Sequence, residues 1–417
     1  MILAQLFQGV KEAFVDNTKR PLAIIGLLLF FLPSSLEASN VLIALLFVEA
    51  IIRFISNKTT FRVATRPILS VYLLLFIIYV FSGVYSENRD WYIFEIEKKL
   101  GLLILPLSFF VITISKNQKR NLLTVFAFST VFWLIFCLIL SFFKVYQTND
   151  FSYLYMDKLA AWIDMLRVYF SLYIFFSLII LWHDYVDSRG NKALVLMSML
   201  LCVLGMFLFM SRIQLPVLFL FLCILMFQYF KNKGLLVSGI LSLVALVSIF
   251  AGLIYFIQPL NQQFLGAIEK FHPKHAYTLD ANGFNERLIF WKCSVELIKE
   301  NLLLGVGIGD LYEELSTCYV NIGLPRLNRF NCHNQYLQIW LSIGIIGFVT
   351  FISLLVFHFK RAFRSKDIIY LAFLVVICLG FLTESLLELQ RGIVFFVLIS
   401  LIFYCSNSED ELVEQNS

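Results

Sequence analysis

Apolar residues run through this chain in long blocks, and polar residues are confined to the connections between them. A helix that crosses a bilayer needs about 20 mostly apolar residues. Stretches of that character lie near 21–34, 40–55, 68–84, 100–115, 121–143, 167–186, 193–210, 213–230, 234–257, 334–358, 367–383 and 390–405. The pattern predicts an all-α integral membrane protein of about 12 transmembrane helices. The first block, PLAIIGLLLFFLPSSLEASN at 21–40, has the outline of a signal-peptide core followed by small residues, but the blocks that follow favour a retained helix. One region breaks the rhythm: residues 258–333 are longer and more polar than any other connection and predict a single large extramembrane loop. The chain so divides into 1–257, carrying the first nine spans, the loop 258–333, the last three spans at 334–405, and an acidic tail at 406–417.

The loop has a pattern of its own. In NERLIFWKCSVELIKENLLLGVGIGD, residues 285–310, the residues Leu288, Trp291, Val295 and Ile298 recur at helical spacing, which predicts an amphipathic helix lying across the outer surface. The segment then passes through Leu302, Leu303 and Leu304 into Gly305, Gly307 and Gly309 as a turn. This glycine run is not read as a dinucleotide fingerprint, because no strand precedes it and no helix N-terminus clearly follows to take a pyrophosphate.

Composition agrees with the hydropathy pattern: 60% of the 417 residues are hydrophobic and 15% charged, against about 25% charged in a soluble domain. That balance excludes a soluble protein. Lys and Arg crowd the short connections RFISNKTTFRVATR (53–66), SKNQKR (115–120), KNK (231–233) and KRAFRSK (360–366). Positive charge is retained on the cytoplasmic side. This predicts both termini inside and the 258–333 loop outside, so the net charge of +5 reflects topology rather than a nucleic-acid partner. No internal repeat supports an inverted-repeat transporter.

The eight cysteines show no metal-ligand spacing, so no metal is expected. Cys137, Cys202, Cys223, Cys378 and Cys405 fall in or beside spans, where a thiol is a small apolar group. Cys293, Cys318 and Cys332 share the outer loop, where an oxidising compartment permits a disulfide. A Cys318–Cys332 bridge would tether the chain beside His333.

Three residues stand where chemistry is expected. Arg212, in FMSRIQLPVL, lies between two apolar blocks. It is either a functional cation or a side chain that reaches the interface from a short hairpin. Arg287 opens the loop helix, where a cation is unfavourable unless an anion is near. Glu286 is one candidate anion and a bound phosphate is another. His333 sits at the mouth of the tenth block, and an imidazole there accepts a proton near neutral pH.

Residues 333–347, His-Asn followed by nine residues and Gly-Ile-Ile-Gly, resemble the H-[NSQ]-x9-GxxG signature of the bacterial O-antigen ligase family, the Wzy_C-type ligases and polymerases. Upstream, ERLIFWKCSVELIKENLLLGVGIGD resembles the family's R-x-x-x-W segment and GVGxG turn, and Ser211-Arg212 resembles its mid-chain arginine. The resemblance covers about residues 200–400; the first half matches only in hydropathy. KENLLLGVG lacks the proline that relatives often carry. TESLLELQRG at 383–392 looks like a variant seen in part of the family. It makes Glu384 and Arg391 candidate secondary groups near the site, or else an ion pair between the last two spans.

The resemblance implies a GT-C-like fold. It also implies transfer of a glycan from an undecaprenyl-pyrophosphate carrier to an acceptor hydroxyl at the periplasmic face of the inner membrane, without cofactor or metal. In that scheme His333 is the general base, Arg212 and Arg287 hold the pyrophosphate, and Asn334 or Gln335 orients a sugar or the imidazole. Gly344 and Gly347 would permit close helix contact below the site. The acceptor would be lipid A-core for a ligase, another carrier-linked repeat for a polymerase, or a protein hydroxyl for an O-oligosaccharyltransferase. A lipid-linked glycan flippase is the alternative from a different class.

Overall fold

The computed structural model describes residues 19–56, 67–209, 215–223, 235–256, 284–327 and 330–407. Arg212 and the acidic tail beyond Asn407 lie outside the described residues, as do parts of the block at 213–230 and of the 258–333 segment. The described chain is helical nearly throughout: α1 (Arg20–Phe31), α2 (Leu36–Ile55), α3 (Pro67–Ser82), α4 (Arg89–Lys99), α5 (Gly101–Phe109), α6 (Lys116–Thr148), α7 (Met156–Ala160), α8 (Arg167–Val186), α9 (Lys192–Phe209), α10 (Leu236–Phe256), α11 (Phe284–Glu300), α12 (Leu311–Asn321), α13 (Gln335–Arg364), α14 (Ile368–Phe381) and α15 (Gln390–Tyr404). A further helical stretch covers 215–223. Two short strands, β1 (Ile114–Ser115) and β2 (Ser406–Asn407), pair in parallel and tie the end of α15 to the start of α6.

Among the described residues, α2, α6, α8, α9 and α13 are long and apolar enough to cross a membrane, and α1, α3, α14 and α15 are shorter apolar helices. Helices that are apolar all round belong inside a bundle. In α15 every residue from Arg391 to Phe403 is buried, and most of α8 from Tyr169 to Leu181 is too. Phe126, Tyr173, Phe176 and Phe395 pack ring on ring where α6, α8 and α15 meet. By contrast α2 turns Val41, Leu45, Val48, Ile52 and Ile55 outward, and α10 exposes Val237, Ile240, Leu241 and Val244. Apolar stripes of this extent have no place against water. They fit an all-α membrane protein.

A second, smaller core sits at one end of the bundle. Ile289, Phe290, Cys293 and Ile298 of α11 pack with Leu311, Leu315 and Tyr319 of α12, and with Leu327, Cys332 and Leu341. The buried stripe of α11 therefore differs from the expected one: Leu288 and Val295 are exposed, at 43% and 40%. Two apolar stripes of helical spacing compete on this helix, and packing against α12 selects the one that carries Cys293. A disulfide joins Cys293 to Cys318 on α12. The expected Cys318–Cys332 bridge is not formed; Cys332 is a buried free thiol, and burial pushes its pKa up to about 12.

The glycines do something other than admit a neighbouring helix. Helix α13 is broken at Ile343 and Gly344, where Gly344 takes φ 68° and ψ −170°. The 302–307 segment docks into that break. Val306 N–H donates to Leu341 O (2.8 Å), Gly307 N–H to Ser342 O (3.0 Å), and Ile345 N–H to Leu302 O (3.1 Å). A Cβ on Gly344 would stand 2.0 Å from the Leu303 carbonyl oxygen, and one on Gly305 2.4 Å from that of Leu341. The close approach is thus between helix backbone and loop backbone, and Gly344 is the residue that permits it. Gly347 packs on Ile343 of its own helix.

Beyond the glycine run a helix does follow, contrary to expectation. Asp310 stands at its N-cap, yet its carboxylate accepts from Glu87 N–H and Asn88 N–H, both at 2.8 Å, in the turn before α4. Tyr85 Oη donates to Leu304 O at 2.6 Å. The glycine run is so pinned between the α3–α4 turn and the break in α13, with no strand before it among the described residues.

Candidate functional site

Helix α11 begins at Phe284, so Arg287 lies on its first turn and Phe290 one turn later on the same face. That face meets the residues just ahead of α13. Asn334 caps α13, its Oδ1 accepting from Tyr336 N–H (3.0 Å) and Leu337 N–H (3.1 Å). His333 precedes the cap with φ 45°, a left-handed conformation rare outside glycine and a recurrent feature of functional sites. Its ring stacks on Phe290 at 5.2 Å between centroids and lies 6.1 Å from Phe330.

Glu384, in the turn between α14 and α15, completes the group. Its Oε2 is 2.9 Å from His333 Nδ1, and its Oε1 accepts from Arg287 Nη2. Burial favours the neutral acid, but the hydrogen bond from His333 and the Arg287 charge outweigh it and hold the Glu384 carboxyl below its ordinary value of 4.5. An ionised carboxylate only accepts, so Nδ1 carries the proton in the hydrogen bond. In the neutral imidazole Nε2 then holds the lone pair. All three side chains stay partly open, at 24% for His333, 20% for Arg287 and 17% for Glu384. Arg287 Nε is buried with no hydrogen-bond partner among the described residues.

The sequence placed His333 and Arg287 on the outer loop, and the fold brings them to one carboxylate. The anion opposite Arg287 is Glu384 and not the neighbouring Glu286. Glu384 and Arg391 form no pair with each other. Arg391 turns away to the 161–164 turn, where Nη1 donates to Ile163 O (3.0 Å) and Nη2 lies 4.0 Å from Asp164 Oδ2.

Asn334 and Gln335 act on the Glu384 turn rather than on the ring. Asn334 Nδ2 donates to Leu382 O (3.0 Å), Asn334 N–H to Ser385 Oγ (3.2 Å), and Leu387 N–H to Gln335 Oε1 (2.6 Å). Residues 382–387 are in this way fastened to the start of α13, which fixes Glu384 opposite His333. Two residues after the histidine position its carboxylate partner through the backbone.

Sequence reading missed the layer beneath. Lys99, fully buried at the end of α4, donates to Glu388 Oε1 (2.9 Å) and Leu387 O (2.6 Å). Glu95, one turn earlier on α4, pairs with Lys98 at 2.5 Å. Burial, reinforced by the charge of Glu388, raises the Glu95 carboxyl above its ordinary value. Glu95 Oε2, Gln335 Nε2 and Gln338 Nε2 are buried without partners among the described residues. The available signal was EIEKKL at 95–100, a charged stretch running straight into an apolar block. No group of His, Cys, Asp and Glu among the described residues is arranged to hold a metal ion.

An imidazole with an open nitrogen, a carboxylate fixing its tautomer and a guanidinium on the same carboxylate can accept a proton beside an anion. Residues 197–352 match the family model described as O-antigen ligase. The matched segment contains Arg287, His333, Gly344 and Gly347 and ends before Glu384. No curated protein matches the chain.

Proposed function

Starting from the O-antigen ligase match over residues 197–352, we propose that this membrane protein transfers a glycan from a lipid-linked pyrophosphate to an acceptor hydroxyl at the membrane surface. The observation that carries the reading is the Glu384 bridge between His333 and Arg287. In the reaction the acceptor O–H attacks the anomeric carbon of the donor sugar, and His333 Nε2 takes its proton. The bond from that carbon to the phosphate oxygen breaks, and the pyrophosphate leaves with the electron pair. Arg287 stabilises the charge growing on the leaving group, since guanidinium suits bidentate contact with phosphate oxygens and does not deprotonate. Arg212, outside the described residues, is proposed as the second cation of the clamp. Glu384 holds the imidazole in the tautomer that leaves Nε2 basic.

The carrier in this reading is undecaprenyl pyrophosphate and the acceptor lipid A-core, with donor, acceptor and site on the periplasmic face of a bacterial inner membrane and both termini in the cytoplasm. The compact outer loop favours a ligase over a polymerase or a protein O-oligosaccharyltransferase of the same chemistry. A lipid-linked glycan flippase lacks support, because the notable charged groups gather at helix ends.

The test is reconstitution of the purified protein in liposomes with a carrier-linked glycan and each acceptor in turn, with and without chelator. Glycan on lipid A-core, unaffected by chelator, supports the ligase. Lengthened carrier-linked glycan identifies a polymerase. Donor moved across the bilayer with no transfer contradicts the proposal.

A further inference from the structure

At the far end of α13 from His333, the connections between helices close around a cavity of about 670 Å³. Its walls come from four separate parts of the chain: the start of α6, the end of α8 with its following turn, the α13–α14 turn, and β2. Seven lysine and arginine side chains line it, Lys116, Lys119, Arg120, Arg189, Arg361, Arg364 and Lys366, against the aspartates Asp187 and Asp367. Three of the cations build the wall. Lys119 pairs with Asp367, Arg120 with Asp184 at 2.7 Å, and Arg361 donates to Ser406 O at 3.0 Å. The side chains of Lys116, Arg189, Arg364 and Lys366 have no partner among the described residues and are exposed at the cavity. Lys366 holds φ 51°, a left-handed position where glycine is the ordinary occupant of a helix end.

Retaining positive charge on one side of a membrane needs no cavity, since solvated loops do it equally well. Here the cations converge. Unpaired like charges around a concave, low-dielectric wall repel one another and concentrate a positive field in the space between them. An anion resolves that repulsion. The rim also has exposed apolar residues, Phe363 at 63% and Ile368 at 72%, so the mouth lies where an apolar surface meets a charged one.

We propose that this cavity is a binding site for phosphate-bearing anions, with Lys116, Arg189, Arg364 and Lys366 as the ligating cations. It is separate from the His333 site and needs nothing from the proposed transfer reaction. A phospholipid headgroup and a free phosphate share this chemistry.

The experiment uses the full chain purified from mixed vesicles of phosphatidylcholine with about one-fifth phosphatidylglycerol, and measures co-purified lipid by mass spectrometry. The variants are a triple (Lys116→Gln, Arg364→Gln, Lys366→Gln) and a control (Lys292→Gln, Lys299→Gln) on α11. Several-fold enrichment of phosphatidylglycerol on the wild type and control, lost in the triple variant, supports a headgroup site. In a second arm, in neutral detergent, inorganic pyrophosphate is titrated while the melting midpoint is read. A rise for the wild type and none for the triple variant, without lipid enrichment, supports the site with a soluble anion as its source. If the triple variant does not fold, Lys366→Gln alone is used and a partial loss of either signal is expected. Equal lipid enrichment and equal pyrophosphate response in wild type and variant overturn the proposal.

Discussion

Replacing Glu384 by glutamine keeps its shape and removes the charge that both His333 and Arg287 contact. An amide facing Nδ1 no longer requires the proton there, so Nε2 is protonated in part of the molecules and cannot act as base. The account predicts a fall in transfer rate of about 10²-fold for Glu384→Gln, with protein and donor levels unchanged. The same carboxylate has a pH signature. Its value in the folded chain lies below the ordinary 4.5, so its contribution to stability is complete above that value and is lost as pH falls through the folded one. Melting midpoints of wild type and Glu384→Gln, measured between about pH 6 and pH 3, should therefore differ most at the upper end and converge at the lower. A difference that grows toward low pH has the wrong sign for this bridge. His333 and Arg287 were legible because each stands inside a motif at a break in hydropathy. Glu384 was legible only as a candidate, since its partners lie 51 and 97 residues away in the chain. Nothing local to Arg391 indicated that it serves the 161–164 turn instead.

Helices were the most legible level, because apolar runs long enough to span a bilayer leave little choice of secondary structure. What hydropathy does not encode is where a run breaks. Helix α13 reads as one block, yet its path turns at Gly344, and only the docked 302–307 segment explains why a residue with φ 68° is needed there. Gly344→Ala should lower the melting midpoint and abolish transfer, since both the backbone conformation and the Leu303 carbonyl exclude a Cβ. A variant with normal stability would show that the loop does not dock as described. The loop helix illustrates a second ambiguity, as α11 carries two apolar stripes and partner packing decides between them. Its disulfide closes a separation of 25 residues. Cys293→Ser should cost roughly 3 kcal/mol on the loop-entropy scale, read as a lower melting midpoint of oxidised protein that disappears when the wild type is reduced. Pairing among three loop cysteines was beyond the sequence because it depends on how α11 and α12 cross.

On the scale of the molecule, α13 joins two ends of different character. Beyond the break at Gly344 the helix runs on from Ile345 to Arg364, and its twenty residues at about 1.5 Å each reach roughly 30 Å, the depth of the hydrocarbon core of a bilayer. The His333 group stands at the first end of α13 and the cationic cavity at the other. With the orientation proposed from Lys and Arg placement, an impermeant maleimide applied to intact cells should label Lys292→Cys, while Lys366→Cys should react only after permeabilisation. The reverse result would put the proposed reaction on the wrong side of the membrane. The central claim is that His333 takes the acceptor proton, and it is tested most directly by single-turnover transfer in liposomes with saturating carrier-linked glycan, comparing wild type with His333→Ala at matched folded protein. The account predicts a rate lower by about 10²–10⁴-fold with donor still bound; transfer at the wild-type rate would contradict it.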